Sequence, residues 1–164
     1  MEDKERMLSR YEQFSYLISV IFRHVQKIER DEMIKRGFKG SYAQYLAAIG
    51  RFPDGVTSSQ LCELCDKDKA AVSRAVAEME AHGLVRREAD GETLYRARLV
   101  LTKEGRNTAD YVAERARLAV NAAGKGMTDE DRRVFYASLD LIASNLQWIS
   151  RTGLPEHEEQ KGDS

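Results

Sequence analysis

Apolar residues recur at helical spacing from the start of the chain. Met7, Tyr11, Phe14, Ile18, Ile21, Val25 and Ile28 follow one another at alternating steps of four and three, the heptad seam of a helix that packs against another helix. Leu17 and Phe22 widen that face, so the pattern predicts one long helix from about Lys4 to Arg30. The stretch GFKGS (Gly37–Ser41) ends this region, and Ser41 is the expected N-cap of a short helix from Tyr42 to Arg51. Pro53-Asp54-Gly55 reads as a turn, because proline fixes φ and glycine accepts positive φ. Thr57 is placed to cap a helix through about Cys65. A short polar turn, Asp66–Asp68, leads to another helix from Lys69 to about His82, which Gly83 stops.

From Leu84 to Leu101 the period changes. Around a turn at Ala89-Asp90-Gly91, Tyr95, Ala97, Leu99 and Leu101 alternate with Arg96, Arg98 and Val100, the pattern of a β-hairpin with one wet face. Thr102 then caps a helix to about Ala123, and Gly124-Lys125-Gly126 breaks it. Thr128 with Asp131 three residues on predicts a capping box, with Asp where Glu or Gln is usual. The last helix runs to about Ile149, and Phe135, Leu139, Ile142, Leu146 and Ile149 repeat the four-three spacing. The tail Pro155–Ser164 is polar and reads as disordered.

The informative stretch is Val56–Glu88. Two short helices joined by a tight turn and followed by a hairpin make a winged helix-turn-helix. Leu61, Cys62 and Cys65 on the first helix, with Val72, Ala75, Val76 and Met79 on the second, form one apolar inner surface. Lys69, Ala70, Ser73, Arg74 and Ala77 are left on the outer face of the second. That face suits a DNA major groove: Ala70 and Ala77 let the backbone approach base edges, Ser73 donates or accepts, and Arg74 can contact guanine bidentately. Asp68 caps the helix start, and Lys67 and Lys69 flank it, where a phosphate contact fixes register without reading sequence. The plain alternative is an amphipathic core helix with solvated charges.

Composition narrows the reading. The chain has 164 residues, 42% of them hydrophobic, enough for one domain that buries roughly 70% of its unfolded surface. No apolar run reaches the 18 or so residues of a membrane span, and the charged start offers no signal peptide. With 2 Cys there is no disulfide framework. A soluble, cytoplasmic, reduced protein without a membrane partner is expected. The net charge of −1 argues against binding polyanions by bulk charge. Since Glu156, Glu158, Glu159 and Asp163 concentrate acid in the tail, the body is slightly positive, and nucleic-acid binding would come from a local patch.

The chain resembles the MarR family of bacterial transcriptional regulators, most closely in AAVSRAVAEMEAHGLVRRE (Ala70–Glu88) and in LTKEG (Leu101–Gly105). The resemblance implies a mainly α fold with a small β-hairpin wing and long N- and C-terminal dimerisation helices. The division is then a dimerisation helix over 1–36, a winged helix-turn-helix lobe over 41–105, C-terminal dimerisation helices over 106–150 and an acidic tail over 151–164. It further implies a homodimer that binds double-stranded DNA at a pseudo-palindromic operator as a repressor and is relieved by a small ligand or by oxidation. Recognition-helix roles carry over to Lys69, Ala70, Ser73 and Arg74. Many members have Asp-Arg-Arg in the wing where this chain has Thr93, Leu94 and Tyr95; Arg96 and Arg98 are then the expected basic wing residues.

Independently of the family, a seam of large apolar residues at each end of the chain needs a partner surface, a second copy in the favoured reading and the rest of its own monomer in the alternative. Phe14, Ile18 and Ile21 on the first helix, with Phe135, Leu139, Ile142 and Leu146 on the last, are the expected dimer contacts. A two-fold dimer sets two reading heads roughly 34–36 Å apart.

Other features carry less. Cys62 and Cys65 form a CxxC, but there is no second CxxC and no His pair at ligand spacing, so core packing is favoured over a thiol switch or a metal site. His24, His82 and His157 are scattered and read as structural or solvated. Phe38, Tyr42, Tyr45 and Phe22 read as core, while the family leaves room for a small aromatic or anionic effector nearby. No Gly-rich phosphate loop, HExxH, GxSxG or paired carboxylates occur, so neither an enzyme nor a cofactor is expected. A winged-helix protein–protein adaptor is the competing class.

Overall fold

A computed structural model of the chain describes residues 2–88 and 97–154. The expected turn Ala89-Asp90-Gly91, the positions Thr93, Leu94, Tyr95 and Arg96, and the tail with His157 lie outside the described residues. In order the elements are α1 (Glu2–Lys35), α2 (Tyr42–Gly50), α3 (Ser58–Cys65), α4 (Lys69–Ala81), β1 (Val85–Glu88), β2 (Arg98–Leu101), α5 (Lys103–Ala123) and α6 (Asp129–Thr152). The fold is mainly helical with a two-stranded antiparallel wing. It divides into two compact units, residues 1–123 and residues 124–164.

Helix α1 runs past the expected end at Arg30 because nothing breaks it before Gly37, whose φ is +83°. The added turn matters, since it carries Glu32 and Met33 into the lobe, 6% and 0% exposed. The start of α2 departs from expectation. Ser41 is already helical, with φ −63° and ψ −17°, and its side chain caps nothing. The preceding turn does that work, as the Tyr42 and Ala43 amides donate to the Lys39 and Gly40 carbonyls at 3.0 and 3.3 Å. A serine caps only from an extended backbone, where its oxygen reaches the amides ahead.

The other caps form as expected. Thr57 and Gln60 make a reciprocal capping box that opens α3, and Asp68 accepts from the Ala71 amide at 2.8 Å to open α4. Thr102 Oγ1 accepts from the Gly105 amide at 3.0 Å. Thr128 and Asp131 form the predicted box of α6, aspartate included. Between α3 and α4, Asp66 takes the left-handed conformation at φ 50°, which short polar side chains tolerate better than most.

The core of the first unit gathers Met33 from α1, Leu46 and Ile49 from α2, and Leu61 from α3. Val72, Val76 and Met79 join from α4, Leu84 and Leu99 from the wing base, and Val112 from α5. The inner surface expected between α3 and α4 is therefore present, with Cys62, Cys65 and Ala75 half-buried at its margin. The wing pairs Val85 with Leu101 and Glu88 with Arg98. One feature differs from the expected wet face: Val100 is 8% exposed. The turn before Val56 covers it, and Val56 itself bridges Leu99 from the open edge. Helix α5 lies so close to the wing base that a Cβ on Gly105 would meet the Leu84 carbonyl oxygen at 1.8 Å. Only glycine fits there, which gives the LTKEG segment its physical meaning.

Candidate nucleic-acid interface

Helix α4 presents the face the sequence predicts. Lys69, Ala70, Ser73, Arg74 and Ala77 are all exposed, while Val72, Val76 and Met79 on the opposite side are fully buried. These two sets follow from one amphipathic period, so burying the apolar stripe against α3 leaves the other stripe facing outward. Lys67 is also exposed, just ahead of the helix start. The Ala71 amide, donating to Asp68, holds that carboxylate below its usual pKa range, and Arg74 adds to the effect. Arg74 takes part in no side-chain hydrogen bond or ion pair among the described residues.

The wing is less free than expected. Arg98 donates to the Gly55 carbonyl at 3.3 Å and so ties β2 to the turn ahead of α3. Arg86 pairs with Glu88, and Arg87 donates to both oxygens of Glu80 on α4 at 3.1 and 3.2 Å. Arg96, expected with Arg98 to make the wing basic, lies outside the described residues.

Two carboxylates that sequence reasoning passed over organise the scaffold behind this face. Glu78 on α4 accepts from Lys39 at 2.8 Å and from the Tyr42 hydroxyl at 2.8 Å. The lysine, and then the tyrosine, hold Glu78 below the usual carboxylate range. Burial, together with the carboxylate beside it, pushes the Tyr42 hydroxyl up to about 12. Glu32 on α1 accepts from Lys35 at 2.6 Å and from the Tyr111 hydroxyl of α5 at 3.1 Å, which lowers its pKa in that order of weight. Partners 36 and 79 residues apart in sequence leave no local signal that could have found either contact.

Of the aromatic group, Tyr42 and Tyr45 are buried and Phe38 packs on the core. Phe22, expected with them, is 61% exposed, because among the described residues of its own unit no element folds over that part of α1. It borders a groove of about 630 Å3 whose lining includes Val25, Glu29, Arg51, Cys65 and Lys67. Burial raises the pKa of Glu29 against the opposing charge of Arg51. Cys65 is likewise raised by burial, so its thiol stays protonated near neutrality, which fits packing better than redox sensing. Among the described residues no group of three or more His, Cys, Asp or Glu side chains is placed to hold a metal ion, and no helix is long and apolar enough to cross a membrane.

Residues 36–93, from the end of α1 into the wing, match the model of the MarR family. Among solved structures, a MarR-family transcriptional regulator from Silicibacter pomeroyi is 27% identical with a TM-score of 0.66, the match covering 80% of this chain and 88% of that one. Over the winged lobe the chain is similar to the MarR family, and its fold is that of MarR-family regulators. Two further MarR-like structures share the fold at lower identity. A MarR-family regulator from Listeria monocytogenes, complexed with a 26mer DNA, is 20% identical with a TM-score of 0.66 over 84% of this chain and 93% of that one. CouR from Rhodococcus jostii RHA1, bound to p-coumaroyl-CoA, is 22% identical with a TM-score of 0.63 over 79% and 91%. No curated protein matches the chain in sequence.

Proposed function

We propose that the chain is a MarR-family regulator, a homodimeric repressor that binds a pseudo-palindromic site in double-stranded DNA and releases it when a small molecule binds. The observation that carries the reading is the outer face of α4, where Lys69, Ala70, Ser73, Arg74 and Ala77 are exposed together beside a capped helix start. In a major groove Ser73 and Arg74 read base edges, Ala70 and Ala77 allow close approach, and Lys67 and Lys69 meet phosphates. The DNA complex of the Listeria regulator supports this use of the fold. Dimerisation is supported by the exposure of Phe14, Ile18 and Ile21 on α1 and of Phe135, Ile142 and Leu146 on α6, with Leu139 between them half-buried. The groove beside Glu29 and Arg51 is the place for an aromatic or anionic effector, and the ligand of CouR supports that class. Effector and DNA then weaken each other's binding by the same factor.

Selection from a random duplex library at about 0.15 M salt, followed by a salt titration of the winner, tests the proposal. A two-fold symmetric site with half-sites about one helical turn apart supports it. A second reading, a protein–protein adaptor, draws on the wing, where Arg86, Arg87 and Arg98 are each engaged within the chain. Absence of any enriched duplex, or binding insensitive to salt, favours the adaptor.

A further inference from the structure

We propose that Glu78 is a positioning residue for the DNA-reading face, setting the rotation of α4 against the corner that follows α1. The assignment rests on the reading that α4 meets DNA. Val72, Val76 and Met79 hold α4 in the core, but apolar contact is non-directional and leaves rotation about the helix axis loosely set. Polar contacts supply direction: Arg87 holds Glu80 on the wing side, and on the corner side the contact is made by Glu78. Its two carboxylate oxygens both accept from Lys39, at 2.8 and 2.8 Å, and Oε2 also accepts from the Tyr42 hydroxyl at 2.8 Å.

Tyr42 is 1% exposed, so its hydroxyl is a fixed reference point rather than a mobile one. One turn further, just past the end of α4, His82 meets Phe38 edge-on with ring centroids 5.7 Å apart. Both contacts reach residues 38–42, and the Phe38 amide donates to the carbonyl of Met33 at 3.3 Å, so this corner continues directly from α1. Glu78 sits one turn beyond Arg74 and adds negative charge to a helix that would approach phosphates. Bulk electrostatics opposes that charge, whereas a clamp requires it.

The test compares the full-length wild type, Glu78→Gln, Tyr42→Phe and the charge swap Lys39→Glu with Glu78→Lys. Each is titrated on the duplex recovered by selection and on a scrambled duplex of equal length and composition, at one salt concentration. Glu78→Gln removes a negative charge, so binding to the scrambled duplex strengthens. The ratio of specific to scrambled affinity falls on the order of tenfold, as for loss of one good base contact. Tyr42→Phe lowers the ratio by a smaller factor, and the charge swap restores it. Equal strengthening on both duplexes, or an unchanged ratio in both single variants, overturns the assignment, as does a ratio that stays low in the swap. A wild type that binds both duplexes equally overturns the underlying reading and the assignment with it.

Discussion

The lobe between Tyr42 and Leu101 and the helix α6 each carry a regular apolar stripe, yet they use it differently. In the lobe, Leu46, Leu61, Val76 and Leu99 are fully buried by their own chain. In α6 no residue is buried, and Phe135, Leu146 and Trp148 are 41, 51 and 62% exposed. The same periodicity thus encodes a finished core in one region and an open surface in the other. The difference lies in what surrounds each stripe. Short helices joined by tight turns fold their apolar faces onto one another, whereas the apolar face of the long helix α6 stays exposed along its length. Exposed apolar faces of this extent mark association surfaces, and residues 8–24 of α1 belong with α6 in this respect.

The sharpest way to break the lobe is Gly105→Ala. The added methyl meets backbone at 1.8 Å, so we expect a loss of more than about 3 kcal/mol, beyond ordinary overpacking, measured by urea denaturation. Leu61→Ala and Ile142→Glu then separate the two regions. The first is expected to cost about 2–5 kcal/mol at every protein concentration. The second is expected to leave the lobe folded and abolish self-association, read by light scattering. Arg74→Ala acts on neither stripe. It should leave the unfolding midpoint unchanged and cost about 1–3 kcal/mol of discrimination between cognate and scrambled duplex.

Two finer substitutions test the local account of the lobe. Thr57→Ala removes a formed cap and should cost about 1 kcal/mol, while Ser41→Ala should change stability by less than about 0.5 kcal/mol. Acid gives the smallest effect. Because the folded-state pKa of Asp68 is lowered from 3.8, its contribution is present above that value and is lost as pH falls through the folded one. Asp68→Asn keeps a capping oxygen without the titration, so its stability should fall less between pH 4 and pH 2 when followed by circular dichroism.

What the sequence revealed was whatever is local. Thr57, Asp68, Thr102 and Thr128 all cap as expected, because a cap is decided within a few residues. Ser41 shows the limit of that logic, since the preceding turn had already made the backbone helical. Val100 was misplaced on a wet face because the turn at Gly55, some 45 positions away, lies against it. The outer face of α4 was legible from one helical period. Its bracing by Lys39, Tyr42 and Glu78 was not, since ion pairs across folded elements leave no periodic trace. Phe22 failed in the opposite sense: an aromatic residue beside a seam looks like core until the chain proves not to cover it.

The central claim is that the uncovered stripes of α1 and α6 are met by a second copy of the chain. Sedimentation velocity of the wild type across a dilution series at micromolar concentrations tests it most directly. The account predicts a dimer that persists on dilution and turns into a folded monomer with Ile142→Glu. A wild type that sediments as a monomer throughout, with its lobe folded, would contradict it.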